Sequence, residues 1–220
     1  MTLHAAVAAA LVLGACAAAG ADSTRLVERR TLAAQAPPTA THALTLHIFH
    51  FAGTRWKIDD ITRAIAPAAE LLAQCGVALE RTELATLNAE RRFHFYYTPI
   101  SRELVRELRA PRPAVFFVED TRNNPAFDAE AIGLANAARR PELANTIWIA
   151  YGTRDLDHAI AHELVHVLSD SGEHSSDPAN LMHEETSARN TALTAAQCER
   201  LRSRGQANGL LVRRSDEVMK

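Results

Sequence analysis

Basic charge is not in excess in this chain. Its 220 residues carry 24 Lys and Arg against 26 Asp and Glu. The basic pairs Arg29-Arg30, Arg91-Arg92, Arg139-Arg140 and Arg213-Arg214 are short and scattered. A nucleic-acid-binding surface gathers Lys and Arg on one face to neutralise phosphates, so no nucleic-acid partner is expected. Apolar runs are short as well. The stretch from Ala5 to Ala19 is uninterrupted, but it falls below the roughly 20 residues that span a bilayer. No G-x-S-x-G occurs, and no cysteine stands with a histidine in a recognisable context, which leaves a serine or cysteine nucleophile without support. Cysteine is scarce, at three residues, and no segment repeats.

What is present begins at the N-terminus. An apolar core of about 7–15 residues followed by small residues is the layout of a secretory signal. Leu13-Gly14-Ala15-Cys16 looks like a bacterial lipobox, in which Cys16 becomes the lipid-modified first residue. Met1 to His4 contains no Lys or Arg, which departs from the usual basic start. A buried Ala-rich helix is the other reading, and no polar face supports it. The expectation is a lipoprotein-type signal peptide over 1–15, a tether over 16–42 rich in Ala, Thr and Pro, and a folded domain over 43–220. Such a chain would reside on the periplasmic side of a bacterial envelope, held to a membrane by its lipid. Cys75 and Cys198 are then the remaining pair. An oxidising compartment would permit a disulfide, and two buried free thiols are the alternative.

The periodicities predict a mixed chain. Residues 43–51 alternate as a first strand, and Ile58 to Cys75 has helical spacing at Ile61, Ile65, Ala68, Leu71 and Leu72, stopped by Gly76. Strands are expected at 77–84, 114–118, 146–150 and, more weakly, 132–135. Helices are expected at 101–108, 155–168 and 193–202, the second of these with Asp155 or Thr153 as N-cap and the last with Thr194 or Thr191. This order implies an α/β or α+β sheet with one face packed on the long helices. In the helix over 155–168, Ile160, Leu164, Val167 and Leu168 form an apolar face, with His162 and His166 towards the other side.

That helix carries His162-Glu163-Leu164-Val165-His166. Histidines four apart lie one turn above one another, about 5–6 Å between Cβ atoms, close enough to share one ion. The H-E-x-x-H pattern is a zinc-hydrolase signature in which the glutamate, here Glu163, serves as general base. A catalytic zinc site takes a third protein ligand and keeps one position open. Asp170, His174 and His183 follow the helix. His174, just past Ser171-Gly172, is the preferred third ligand, with Asp170, Glu184 or Glu185 as carboxylate alternatives. His158 cannot join His162 and His166, because the first and third would stand about 12 Å apart along the axis. His42, His47, His50 and His94 have no ligand spacing to the motif.

His162-Glu163-Leu164-Val165-His166, the turn with Gly172, His174 and then Asn180-Leu181-Met182 resemble the metzincin clan of zinc metallopeptidases, described by H-E-x-x-H-x-x-G-x-x-H and a Met-turn. The resemblance covers about residues 43–203 in layout, and its motifs are confined to 162–183. Ser169 stands at the usual glycine position and Gly172 at the usual third-ligand position, so the third histidine falls two residues late. The resemblance implies an α+β fold: a mixed twisted sheet with a long active-site helix and a small C-terminal helical subdomain. It also implies Zn2+ held by His162, His166 and His174, a peptide or protein substrate, Glu163 as catalytic base, and Met182 as an apolar floor beneath the ion. The segment 132–135 would be the edge strand that pairs with extended substrate. A non-catalytic metal-binding envelope lipoprotein of the same fold is the alternative.

Overall fold

The computed structural model describes residues 24–121, 131–134 and 141–214. Its centre is a sheet whose middle strands read as continuous apolar runs. Strands β2 (His42–Phe51), β3 (Val77–Asn88), β5 (Ala114–Val118) and β8 (Thr146–Ala150) are mutually parallel. Parallel strands require crossovers, and helices usually make them. Here α1 (Ile58–Ala73) joins β2 to β3, and α2 (Thr98–Leu108) lies between β3 and β5. The edge strand β7 (Ala131–Leu134) is antiparallel to β8. A small separate pair is formed by β4 (Phe95–Tyr96) and β6 (Asp120–Thr121).

The alternation of side chains along these strands divides the core in two. Leu44, Leu46, Ile48, Val115, Phe117, Ile147 and Ile149 meet α1 and the helices α3 (Leu156–Ser169) and α4 (Ala195–Ala207). The opposite set, Phe49, Phe51, Ala114, Phe116, Val118 and Trp148, packs with Leu104 and Val105 of α2. Phe116 stacks between Phe49 at 4.8 Å and Trp148 at 4.2 Å. Both faces of the central strands are therefore covered, where the sequence pattern implied one. A sheet buried on both sides explains why β5 and β8 show no polar alternation.

The tether expectation for 16–42 is corrected over most of its length. Residues 25–32 form strand β1 (Arg25–Leu32), antiparallel to β3 on the outer edge of the sheet. Gln35 then bridges to Leu79. Strand β1 holds on through its backbone while its side chains stay largely exposed, so no hydrophobic period marks it. Residues 1–23, with Cys16, lie outside the described residues. A second unforeseen strand, β9 (Leu211–Arg213), pairs antiparallel with the start of β2. Among the described residues, no helix is long and apolar enough to cross a membrane.

Helix boundaries follow local chemistry. At the end of α1, Gly76 takes φ +70 and its N–H bonds Ala73 O, as its expected stop role requires. Helix α4 opens with a reciprocal capping box between Thr194 and Gln197, the arrangement that T-x-x-Q before a helix encodes. Cys75, just past α1, is joined to Cys198 of α4 by a disulfide with Cα atoms 4.7 Å apart.

Candidate metal centre

Helix α3 is buried on every side from His158 to Ser169, not on one stripe as its apolar spacing suggested. The sheet, α1 and α4 pack on its apolar side, and the chain after the helix covers the histidine side through Ser171, His174 and Leu181. Its first turn is set by Asp155, which adopts φ +43 and makes no side-chain cap. The Asp155 carboxylate instead accepts the Ala188 N–H at 3.1 Å, drawing the later loop onto the helix start. At the other end Asp170, at φ +50, turns the chain. The left-handed residue of the reversal is thus Asp170 rather than Gly172, and Asp170 acts as a helix C-cap. It does not join the ligand group proposed for it as an alternative. Past this turn the chain doubles back and carries His174 to the helix.

The three histidines meet at their Nε2 atoms. His166 Nε2 lies 3.0 Å from His162 Nε2 and 3.2 Å from His174 Nε2. The Nδ1–H of His162 donates to Leu181 O, and that of His166 donates to Ser171 O, both at 2.7 Å. With the proton fixed on Nδ1, each Nε2 presents a bare lone pair. Lone pairs brought this close repel unless a cation lies among them. Ligands about 2.0–2.1 Å from a tetrahedral zinc stand about 3.3–3.4 Å apart, near the observed spacing. Three imidazoles, two of them with the second nitrogen bonded to a carbonyl, form a donor set suited to zinc. Among the described residues, the cluster consists of His162, His166 and His174.

Electrostatics favour the neutral rings that ion binding requires. The His162 pKa is pushed down to about 4, chiefly by burial and then by His166, against the opposing bond to Leu181. Burial also lowers that of His166. Glu163, the neighbour of His162 in α3, is 8% exposed. Met182 is buried in the helix-side core. With His174, Val165, Gln197 and Arg200 it lines a cavity of about 210 Å³.

The remaining candidates separate from the site. His183 is half-buried and its Nδ1 accepts the Glu185 N–H, while Glu184 and Glu185 are exposed. His158 is buried, with Nδ1 3.1 Å from an Asp157 carboxylate oxygen but without a hydrogen bond at either ring nitrogen. The backbone of β7 occupies the expected edge of the sheet; its side chains and residues 122–130 and 135–140 lie outside the description. Sequence reasoning missed the carbonyls of Leu181 and Ser171, for which no residue type is diagnostic. It also missed Gln197, whose signal was the capping-box spacing from Thr194.

No family model matches the chain, and no curated protein matches it. Among solved structures it is similar to metalloproteinase-II from Bacteroides fragilis, with a TM-score of 0.53 and 18% identity over 76% of this chain. The match spans about half of that protein, 54% of its length. The fold is therefore metalloproteinase-like, with a twisted mixed sheet and, among the described residues, four α-helices.

Proposed function

We propose that this protein is a zinc-dependent peptidase with its catalytic centre at His162, His166 and His174. The observation that carries the reading is the convergence of three histidine Nε2 atoms, two of them from a buried helix that also carries Glu163, in a metalloproteinase-like fold. These three histidines would hold the ion. Bound zinc supplies Lewis-acid chemistry, activating water near neutral pH and polarising a carbonyl.

The chain's own residues supply the rest. Glu163 takes the proton of the attacking water as its oxygen adds to the peptide carbonyl carbon. The carbon–nitrogen bond then breaks, and Glu163 returns the proton to the departing amine nitrogen. The Leu181 and Ser171 carbonyls keep His162 and His166 in one tautomer throughout, and Met182 closes the floor as an apolar Met-turn residue. Peptides or proteins are the substrate class, supported by the similarity to a metalloproteinase and by the H-E-x-x-H chemistry.

Glu163→Gln preserves the side-chain shape and removes the base. Zinc content should stay at the parent level, while peptide hydrolysis should fall by about 10²–10⁴-fold, the usual worth of a general base. Release of fluorescent fragments from a quenched peptide library measures this. Parent-level turnover in the variant would remove Glu163 from the mechanism. Loss of zinc together with activity would make it a structural residue instead.

A further inference from the structure

An imidazole bound to an ion through Nε2 owes its aim to whatever accepts its other N–H. For His162 that acceptor is the main-chain carbonyl of Leu181, so its position depends on the turn around it. His183 N–H closes this turn on Asn180 O at 3.0 Å, and Leu181 N–H donates to Ala192 O at 2.7 Å. Asn180 Oδ1 accepts the Met182 N–H at 2.9 Å. The Asn180 side chain is itself enclosed, at 2% exposure, and a buried amide must find partners inside the protein.

Gln197 is that partner, at both ends of the amide. Asn180 Nδ2 donates to Gln197 Oε1, and Gln197 Nε2 donates to Asn180 Oδ1, each at 3.0 Å. The same Gln197 Oε1 accepts the Thr194 N–H at 2.8 Å. One side chain thus ties the first turn of α4 to the turn that carries the Leu181 carbonyl.

We propose that Gln197 is a positioning residue for the metal centre, acting through Asn180 to hold the carbonyl that aims His162. The proposal rests on the reading of the three histidines as metal ligands. A reciprocal pair of amides fixes the direction of both groups, because each offers one donor and one acceptor. Without Gln197, the buried Asn180 Nδ2 loses its acceptor and the Asn180 Oδ1 keeps only the Met182 N–H. The turn is then free to reseat, and the His162 ring follows the carbonyl it donates to. A glutamate at 197 would still accept from Thr194 and Asn180 Nδ2, but it would set two acceptors face to face at Asn180 Oδ1.

Gln197 therefore has two duties, capping α4 and positioning the turn, and Thr194 separates them. The Thr194 hydroxyl accepts the Gln197 N–H at 3.2 Å and donates to Gln197 Oε1 at 3.1 Å; Thr194→Ala removes both bonds and leaves the Asn180–Gln197 amide pair and the Thr194 N–H bond. The experiment measures zinc affinity by competition with a chromogenic chelator, the visible spectrum of the Co2+ form, and the urea midpoint. Gln197→Ala and Gln197→Glu should weaken zinc binding by about ten-fold or more, as loss of an outer partner does, and should alter the Co2+ bands. Thr194→Ala should lower the urea midpoint and leave affinity and spectrum in place. Gln197→Glu retains the cap acceptors, so it remains informative if the alanine variant does not fold. Parent affinity and spectrum in Gln197→Glu would overturn the proposal, as would an equal loss of affinity in Thr194→Ala. If the parent and His162→Ala hold zinc alike, the metal reading beneath it fails instead.

Discussion

His50 shows what a buried histidine looks like when it needs nothing from outside the protein. Its Nε2 bonds the Trp56 carbonyl at 3.1 Å, and its Nδ1 lies 3.5 Å from the Thr86 hydroxyl. His162 and His166 are buried to a similar degree, yet only one nitrogen of each is satisfied by a carbonyl. The other faces a second histidine, as the proposed ligand role requires. At this scale the third ligand can be decided by substitution. His174→Ala should reduce zinc affinity by more than the roughly 10–100-fold that an outer partner costs. Asp170→Gly should leave affinity at the parent level. Because Asp170 holds φ +50, where glycine carries no strain, its stability should be unchanged or higher by up to about 1 kcal/mol. Chelator competition and urea unfolding of the two variants read both effects. Loss of zinc in Asp170→Gly would restore the carboxylate alternative.

Strand β2 carries three histidines without ligand spacing to the motif, and their burial in the folded protein sets their charge. His42, His47 and His50, with His94 nearby in sequence to β4, all have their pKa lowered, by burial first. Unfolding returns each to an ordinary value of about 6.5. Below that pH the unfolded chain binds protons that the folded chain refuses, so stability rises with pH across this window. The protein should therefore be at full stability above about pH 7 and lose stability as pH falls from about 6.5 towards the lowered values. The perturbed carboxylates, Glu83 and Glu119 among them, are shifted down from 4.5, and their effect begins only at lower pH. Urea midpoints at pH 7.5 and 5.5, in the presence of excess chelator, read these rings together with His162 and His166, whose pKa values burial also lowers. Equal midpoints would mean that these rings keep their protons on folding.

Across the whole molecule, the Cys75–Cys198 bond closes a separation of 123 residues and links the end of α1 to the first turn of α4. Beside it, Gln74 donates to Thr191 O and accepts the Leu193 N–H. The sheet-bound half and the C-terminal segment are thus joined where the turn at Asn180 meets α4. Cross-linking so long a loop restricts the unfolded chain, by up to about 4–5 kcal/mol in the chain-entropy account. Cys75→Ser with Cys198→Ser should lower unfolding free energy by about 2–5 kcal/mol, read from urea curves at fixed zinc and pH. A loss under about 1 kcal/mol would show that packing, rather than the covalent link, holds α4 in place.

Much of this architecture was legible because burial writes itself as periodicity. The apolar runs at 114–118 and 146–150 and the 3.6-residue spacing of α1 located the central sheet and its helices, since parallel strands and packed helices must hide apolar side chains. The spacing of His162, Glu163 and His166 marked the site for a similar reason: one helical turn is a fixed distance. Strands β1 and β9 left no such trace, because they are held by backbone pairing while most of their side chains meet solvent. The reversal at Asp170 and the carbonyls of Leu181 and Ser171 were equally silent, since any residue supplies a carbonyl and aspartate is only one of several that tolerate the left-handed region. Chain order named the groups that can hold an ion. Folding brought His174 to the helix and gave each helical imidazole its second bond, because those contacts join segments that local pattern cannot relate.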